Sequence, residues 1–235
     1  MMDRPTQPQW SIRPGSHGHD LLRRVLRVRA GQRLIERITL IEDPAWRIAL
    51  RDTGPGGTAI STTSRATAIH VLWARDDNAA AIRIHDRELA IAPGDTINLP
   101  SDISWSATSG LILCEIAGSA TPSEIRSGGM DTIEATHGQE TFHGYNRQTT
   151  YPSPPGLAIE RWKITQPLPL PDAPEPYVII DLIDPLALMW QGGTDLIGRG
   201  ECRLIPPGTG PITLLPDGLG YALVVRQRNP EPFLG

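Results

Sequence analysis

The sequence predicts an all-β protein made of two copies of one strand unit, and three observations carry that prediction. The 235 residues include 23 glycines and 23 prolines, a turn-rich composition that favours short strands over long helices. The apolar runs are short, rich in β-branched and aromatic residues, and bounded by turn signals such as Thr53-Gly54-Pro55-Gly56-Gly57 and Gln191-Gly192-Gly193. Finally, Gly94-Asp95-Thr96-Ile97-Asn98-Leu99-Pro100 recurs in layout 106 residues later as Gly200-Glu201-Cys202-Arg203-Leu204-Ile205-Pro206. Each copy precedes a turn-rich stretch and then an apolar run, Leu111 to Ile116 in the first and Tyr221 to Val225 in the second. Glycine turn, strand, proline turn and strand suit antiparallel pairing in a sandwich or barrel.

The remaining elements follow the same logic in chain order. Arg23 to Arg29 reads as a strand, although Asp20 to Leu26 fits a short helix equally well. Strands are expected over Arg33 to Ile41, Trp46 to Arg51, Ala68 to Trp73 and Ala81 to His85. The polar segment from Gly118 to Pro155 reads as the connection between the halves. Strands resume at Leu157 to Ile164, followed by a Pro-rich loop from Gln166 to Pro176 and strands at Tyr177 to Ile183 and Leu186 to Trp190. The expected organisation is therefore a barrel over residues 20–118, a connecting segment over 119–156 and a second barrel over 157–228. Cys114 and Cys202 lie in apolar runs, as small buried thiols do.

Composition also narrows function. Lys and Arg number 22 against 26 Asp and Glu, a net charge of −4, so the basic footprint of a nucleic-acid binder is missing. Lys163 is the only lysine, which leaves one side-chain candidate for any Schiff-base chemistry. No stretch approaches 18 apolar residues and the start of the chain has no apolar run, so a cytoplasmic protein without a membrane partner is expected.

The pattern Gly, acid, four residues, Pro, then a turn and an apolar strand resembles the second conserved motif of the cupin superfamily. Two copies in tandem resemble a bicupin, two double-stranded β-helix (jelly-roll) barrels with few short helices. The order Val28-Arg29-Ala30-Gly31-Gln32-Arg33-Leu34, Asp43-Pro44-Ala45-Trp46, Pro93-Gly94-Asp95 and Gly200 to Pro206 is similar to class I mannose-6-phosphate isomerases. That resemblance implies a divalent metal such as zinc, held by His, Gln and Glu inside the first barrel. The ligand histidine expected five residues after the motif proline is replaced by Trp105 and Pro211, and the Gln-x-His expected on an early strand falls near Arg37-Ile38-Thr39. None of these is a fit ligand set for a catalytic metal.

Two histidine-bearing segments remain as candidates. His17-Gly18-His19 places two imidazoles on one side of a strand, with Asp20 beside them, or is a solvated Gly-rich loop. The denser cluster runs through His137-Gly138-Gln139-Glu140, His143-Gly144-Tyr145-Asn146-Arg147 and Glu160-Arg161-Trp162-Lys163. It gathers metal ligands, acid/base groups and an anion clamp within a short stretch. The period of two puts Glu160 and Trp162 on one face and Arg161 and Lys163 on the other. If the basic face points into the barrel, Arg161 and Lys163 grip a sugar phosphate; otherwise they are a solvated face. Arg23, Arg24, Arg27, Arg29, Arg33 and Arg37 read as the wet outer face of a half-buried strand, offset by Glu36, Glu42 and Asp43. Trp105, in the lost ligand's place, fills the barrel or stacks on a sugar ring.

Three readings of function follow. An aldose–ketose sugar isomerase uses Glu140 or His143 as base, His137 and His143 as metal ligands, and Tyr145, Asn146, Arg147, Arg161, Lys163 and Trp105 for the substrate. A metal-free bicupin instead binds a carbohydrate or another small molecule without turnover. A purely structural role is the third option, for example a homodimerisation scaffold, since the cupin resemblance implies association through sheet edges.

Overall fold

The computed structural model describes residues 36–42, 46–54, 56–58, 61–74, 80–118, 133–154, 156–198 and 201–227. The candidates His17, His19 and Asp20, the arginines from Arg23 to Arg33, and the motif residue Gly200 lie outside them. All described regular structure is strand. The chain divides into two compact units, one formed by residues 20–138 and 151–157 and the other by residues 139–150 and 158–235, with residues 1–19 assigned to the latter.

The first unit contains β1 (Glu36–Glu42), β2 (Trp46–Asp52), β3 (Ser61–Thr62), β4 (Thr67–Ala74), β5 (Ala81–Ile84), β6 (Arg87–Ala90), β7 (Thr96–Leu99), β8 (Ser104–Ala107), β9 (Leu111–Gly118) and β10 (Ala135–Thr136). They form a six-stranded sheet in the order β1-β2-β9-β4-β7-β10 and a four-stranded sheet in the order β3-β8-β5-β6. The core between the two faces comprises Ile69, Val71, Ile97, Leu99 and Leu113 from the larger sheet and Ile82, Ile84, Trp105 and Ala107 from the smaller. Alternation along each strand explains this choice, since every second side chain turns inward.

The second unit contains β11 (Gln139–His143), β12 (Asn146–Tyr151), β13 (Leu157–Ile164), β14 (Leu168–Leu170), β15 (Tyr177–Asp181), β16 (Leu186–Trp190), β17 (Gly193–Ile197), β18 (Cys202–Ile205), β19 (Ile212–Pro216) and β20 (Gly220–Gln227). Its sheets run β11-β12-β13-β20-β15-β18 and β14-β19-β16-β17. From β12 onward the order repeats that of the first unit strand for strand, so β13 answers to β2, β20 to β9, β15 to β4 and β18 to β7. The sequence repeat thus falls on equivalent strands. The segment expected to connect the halves contributes β10 to one sheet and the β11–β12 hairpin to another, and the Pro-rich stretch contributes β14, paired to β19.

The motif acid is a turn cap. Asp95 Oδ2 accepts the Ala92 N–H at 2.8 Å, and Glu201 Oε2 accepts the Gly198 N–H at 3.1 Å. In both copies the acid's own N–H returns to the carbonyl three residues back, Ala92 or Gly198. Gly94, at φ 95°, supplies the left-handed conformation that begins the first copy.

Candidate functional site

A metal requires about three donor side chains and an open position, and the interior of the first barrel offers something else. Arg51 lies opposite Leu113, and Glu115 lies opposite Ile69, so both charged side chains share the face of the core residues. Arg51 Nε donates to Glu115 Oε1 at 2.5 Å, Arg51 Nη2 to Ser61 Oγ at 3.2 Å, and the guanidinium lies 5.2 Å from the Trp105 ring centroid. The carboxylate facing the core is thereby neutralised by a permanent cation, which also repels a metal ion. Among the described residues no group of three or more His, Cys, Asp or Glu is assembled. His70 on β4 sits between the inward-facing Ile69 and Val71 and so belongs to the opposite face, where its Nδ1 meets Thr96 Oγ1 at 2.8 Å. Among the described residues, the donor set of the first barrel does not fit a divalent metal.

The second barrel carries an open site. A pocket of about 500 Å³ is bounded by the β11–β12 turn, β12, the inner face of β13, the 166–171 segment and the end of β20. Glu160 and Trp162 face inward on β13, where Trp162 joins the core. Glu160 Oε2 accepts Trp162 Nε1–H at 3.1 Å and Arg226 Nε–H at 3.4 Å. The Arg226 guanidinium lies 4.8 Å from the ring centroid of Tyr177, its register partner across β20 and β15. Burial pushes the Tyr177 hydroxyl up to about 12, against the opposing pull of Arg226. At the rim, the His143 ring packs 5.1 Å from the Trp162 ring and its Nε2 pairs with Gln148 Oε1 at 2.9 Å.

The rim is fixed by local chemistry. Gly144, at φ 64°, makes the two-residue turn between β11 and β12. Buried Asn146 then accepts the N–H groups of Thr165 (2.8 Å) and Gln166 (3.1 Å) on Oδ1, and Thr165 Oγ1 donates to the Tyr145 carbonyl at 2.8 Å. The hairpin and the turn after β13 are held as one edge of the pocket.

The structure distributes the expected site residues unequally. His143 and Asn146 line this pocket. Tyr145 is exposed at the hairpin tip, and Glu140 pairs with Arg147 at 3.1 Å on the exposed hairpin. Arg161 and Lys163 alternate with the inward residues of β13 and stand on its other face, where Arg161 lies 5.8 Å from the Tyr221 ring centroid. The basic face therefore does not point into the barrel, and the clamp these two would have formed there is not assembled. His137 belongs to the first unit, where its Nδ1 meets Asp95 Oδ1 at 2.6 Å, while His143 belongs to the second. Trp105 is buried in the first core with Arg51 over its ring. Gln148, Gln166 and Arg226 were missed from sequence. Arg226 had a readable signal, because Ala222, Val224 and Arg226 alternate inward on β20.

No protein-family model matches this sequence, and neither does any curated protein. Solved structures do match, in fold. The mannose 6-phosphate isomerase from Bacillus subtilis aligns with a TM-score of 0.62 at 11% identity, covering 79% of this chain and 76% of that one. A cupin 2 conserved barrel domain protein from Leptotrichia buccalis gives 0.57 at 14% identity over 90% of this chain and 95% of that one. A salicylate 1,2-dioxygenase from Pseudaminobacter salicylatoxidans gives 0.63 at 13% identity over 97% and 87%. With its repeated strand order and these neighbours, the chain has the cupin fold, used twice in tandem.

Proposed function

We propose that this protein binds a hydroxylated small molecule, of the carbohydrate class, at the mouth of its second barrel without a metal. The observation that supports this reading is the pocket of about 500 Å³ in which the Trp162 and His143 rings adjoin the amides of Gln148 and Gln166 and the Glu160–Arg226 pair. Aromatic walls with a few convergent polar groups suit a ring that is apolar on its faces and polar on its edges. No helix long and apolar enough to cross a membrane occurs among the described residues.

Isothermal calorimetry with a panel of mono- and disaccharides and their phosphates tests the proposal. Binding that weakens at least tenfold in a His143→Ala, Gln148→Ala double variant supports it; an absence of binding across the panel overturns it.

A second reading, aldose–ketose isomerisation, rests on His143, the one expected base that lines the pocket. It calls for a proton transfer between adjacent carbons by the imidazole, with Arg226 polarising the carbonyl. Exchange of the C2 proton of mannose 6-phosphate into deuterated water, lost in His143→Ala, is the signature it requires.

A further inference from the structure

The proposed site contains a guanidinium whose hydrogen-bonding capacity is mostly unspent. Arginines 51, 203 and 226 each form an ion pair in or beside a barrel, and they differ in how the planar fork is used. Arg51 donates from Nε to Glu115 and from Nη2 to Ser61. Arg203 engages all three nitrogens, with Asp195, the Cys202 carbonyl and the Leu196 carbonyl as acceptors. Arg226 donates only from Nε, to Glu160 Oε2 at 3.4 Å, and neither Nη1 nor Nη2 bonds to a described residue. Its flat face is already taken by Tyr177 at 4.8 Å. The Tyr177 ring lies against the guanidinium, while its terminal N–H groups are uncommitted to any described residue beside a pocket that Arg226 itself lines.

Glu160 does not saturate this cation. Its Oε2 is shared with Trp162 Nε1 at 3.1 Å, the shorter of its two contacts. The Arg226 side chain is 19% exposed, enough to meet a ligand and little enough for that contact to be partly desolvated. An anionic group with two oxygens in one plane matches a fork held in this way, by parallel charge-assisted hydrogen bonds that a neutral hydroxyl cannot make.

Resting on the proposed sugar site, we infer that its ligand carries an anionic group, a carboxylate or a phosphate, gripped by Arg226. Trp162, His143 and Gln148 meet the rest of the molecule. The pocket thereby selects acidic over neutral sugars, with Glu160 setting the strength of that preference by competing for the same cation.

Calorimetric titration of the full chain with mannose, mannose 6-phosphate and gluconate tests this, with thermal melting to confirm that each variant is folded. At least one of the acidic probes is expected to bind ten or more times as tightly as mannose, and its identity distinguishes phosphate from carboxylate. Arg226→Gln should lose at least tenfold more affinity for that probe than for mannose. Should Arg226→Gln fail to fold, Glu160→Gln serves instead and should tighten the acidic probe severalfold by releasing the cation. Equal binding of acidic and neutral probes, a preference undiminished in Arg226→Gln, or no tightening of the acidic probe in Glu160→Gln overturns the inference and leaves the sugar site standing. Absence of binding by all three overturns the inference together with the reading beneath it.

Discussion

Arg51 Nε and Glu115 Oε1 meet at 2.5 Å inside the first barrel, joining its β2 and β9 across the face that carries the core. The second barrel places an ion pair on the equivalent strands with the signs exchanged, Glu160 on β13 and Arg226 on β20. The first pair is closed over by Trp105, whereas the second opens on a pocket. The two pairs use equivalent strands at different levels: Glu115 lies opposite Ile69, whose counterpart Ile179 lies opposite Val224, while Arg226 lies opposite Tyr177.

The closed pair should behave as a buried pair does. Glu115→Gln or Arg51→Met alone should destabilise the chain by about 3–5 kcal/mol, because each takes away one member of a buried ion pair. A double replacement by apolar residues, Arg51→Met with Glu115→Leu, should recover most of that loss. Urea denaturation of the three variants measures it, and full additivity of the single losses would show that the two side chains do not interact.

Asn146 should matter to both stability and binding. Its Oδ1 holds two backbone N–H groups, those of Thr165 and Gln166, and Asn146→Ala strands both donors. The expected cost is about 1–3 kcal/mol, together with weaker sugar binding as the 165–166 turn loosens. A variant with wild-type stability and affinity would refute the role of this residue as the tie between hairpin and turn.

Gly144 tests the geometry of the same edge. At φ 64° an added Cβ would lie 2.5 Å from Gln166 Nε2, so Gly144→Ala combines left-handed strain with displacement of a pocket amide. A loss of about 1 kcal/mol in stability is expected, and sugar affinity should fall with it; thermal melting and calorimetry report the two separately.

Alkaline pH should weaken the second barrel. The Tyr177 hydroxyl is raised from its ordinary 10.0 to about 12 by burial, so the unfolded chain loses this proton before the folded one does. Stability is therefore at its full value below pH 10 and falls as pH rises from 10 toward 12, with a slope of about 1.4 kcal/mol per pH unit from this group. Tyr177→Phe should remove that component of the slope in denaturant titrations at pH 9 to 11. The Cys202 thiol, raised likewise to about 12 by burial, should resist alkylation at pH 8 until the chain is unfolded.

By itself the sequence determined the fold class, the twofold repeat and most of the long strands, because alternation, turn chemistry and the Gly-acid-Pro spacing are local signals. β2, β4, β9, β13, β15, β16 and β20 all lie where short β-branched runs place them. The short strands β3, β6, β8, β14, β17 and β19 were not legible, since two to five residues carry too little periodicity and take their conformation from neighbours already in the sheet. The site was legible only in part. The cluster from His137 to Lys163 contains His143, Asn146, Glu160 and Trp162, which do meet at one pocket, and also His137, Glu140, Arg161 and Lys163, which do not line it. Closeness along the chain put all eight in one cluster, and roles went to His137, Glu140, His143, Asn146, Arg161 and Lys163 but not to Glu160 or Trp162. Which of them share a cavity is set by the phase of each strand's alternation, by the pairing of β13 with β20, and by the unit to which each strand belongs. Arg226, more than sixty residues beyond Glu160, reaches that carboxylate only because β20 lies beside β13. That adjacency is a long-range choice made by burying both strands against one core, and no local pattern encodes it.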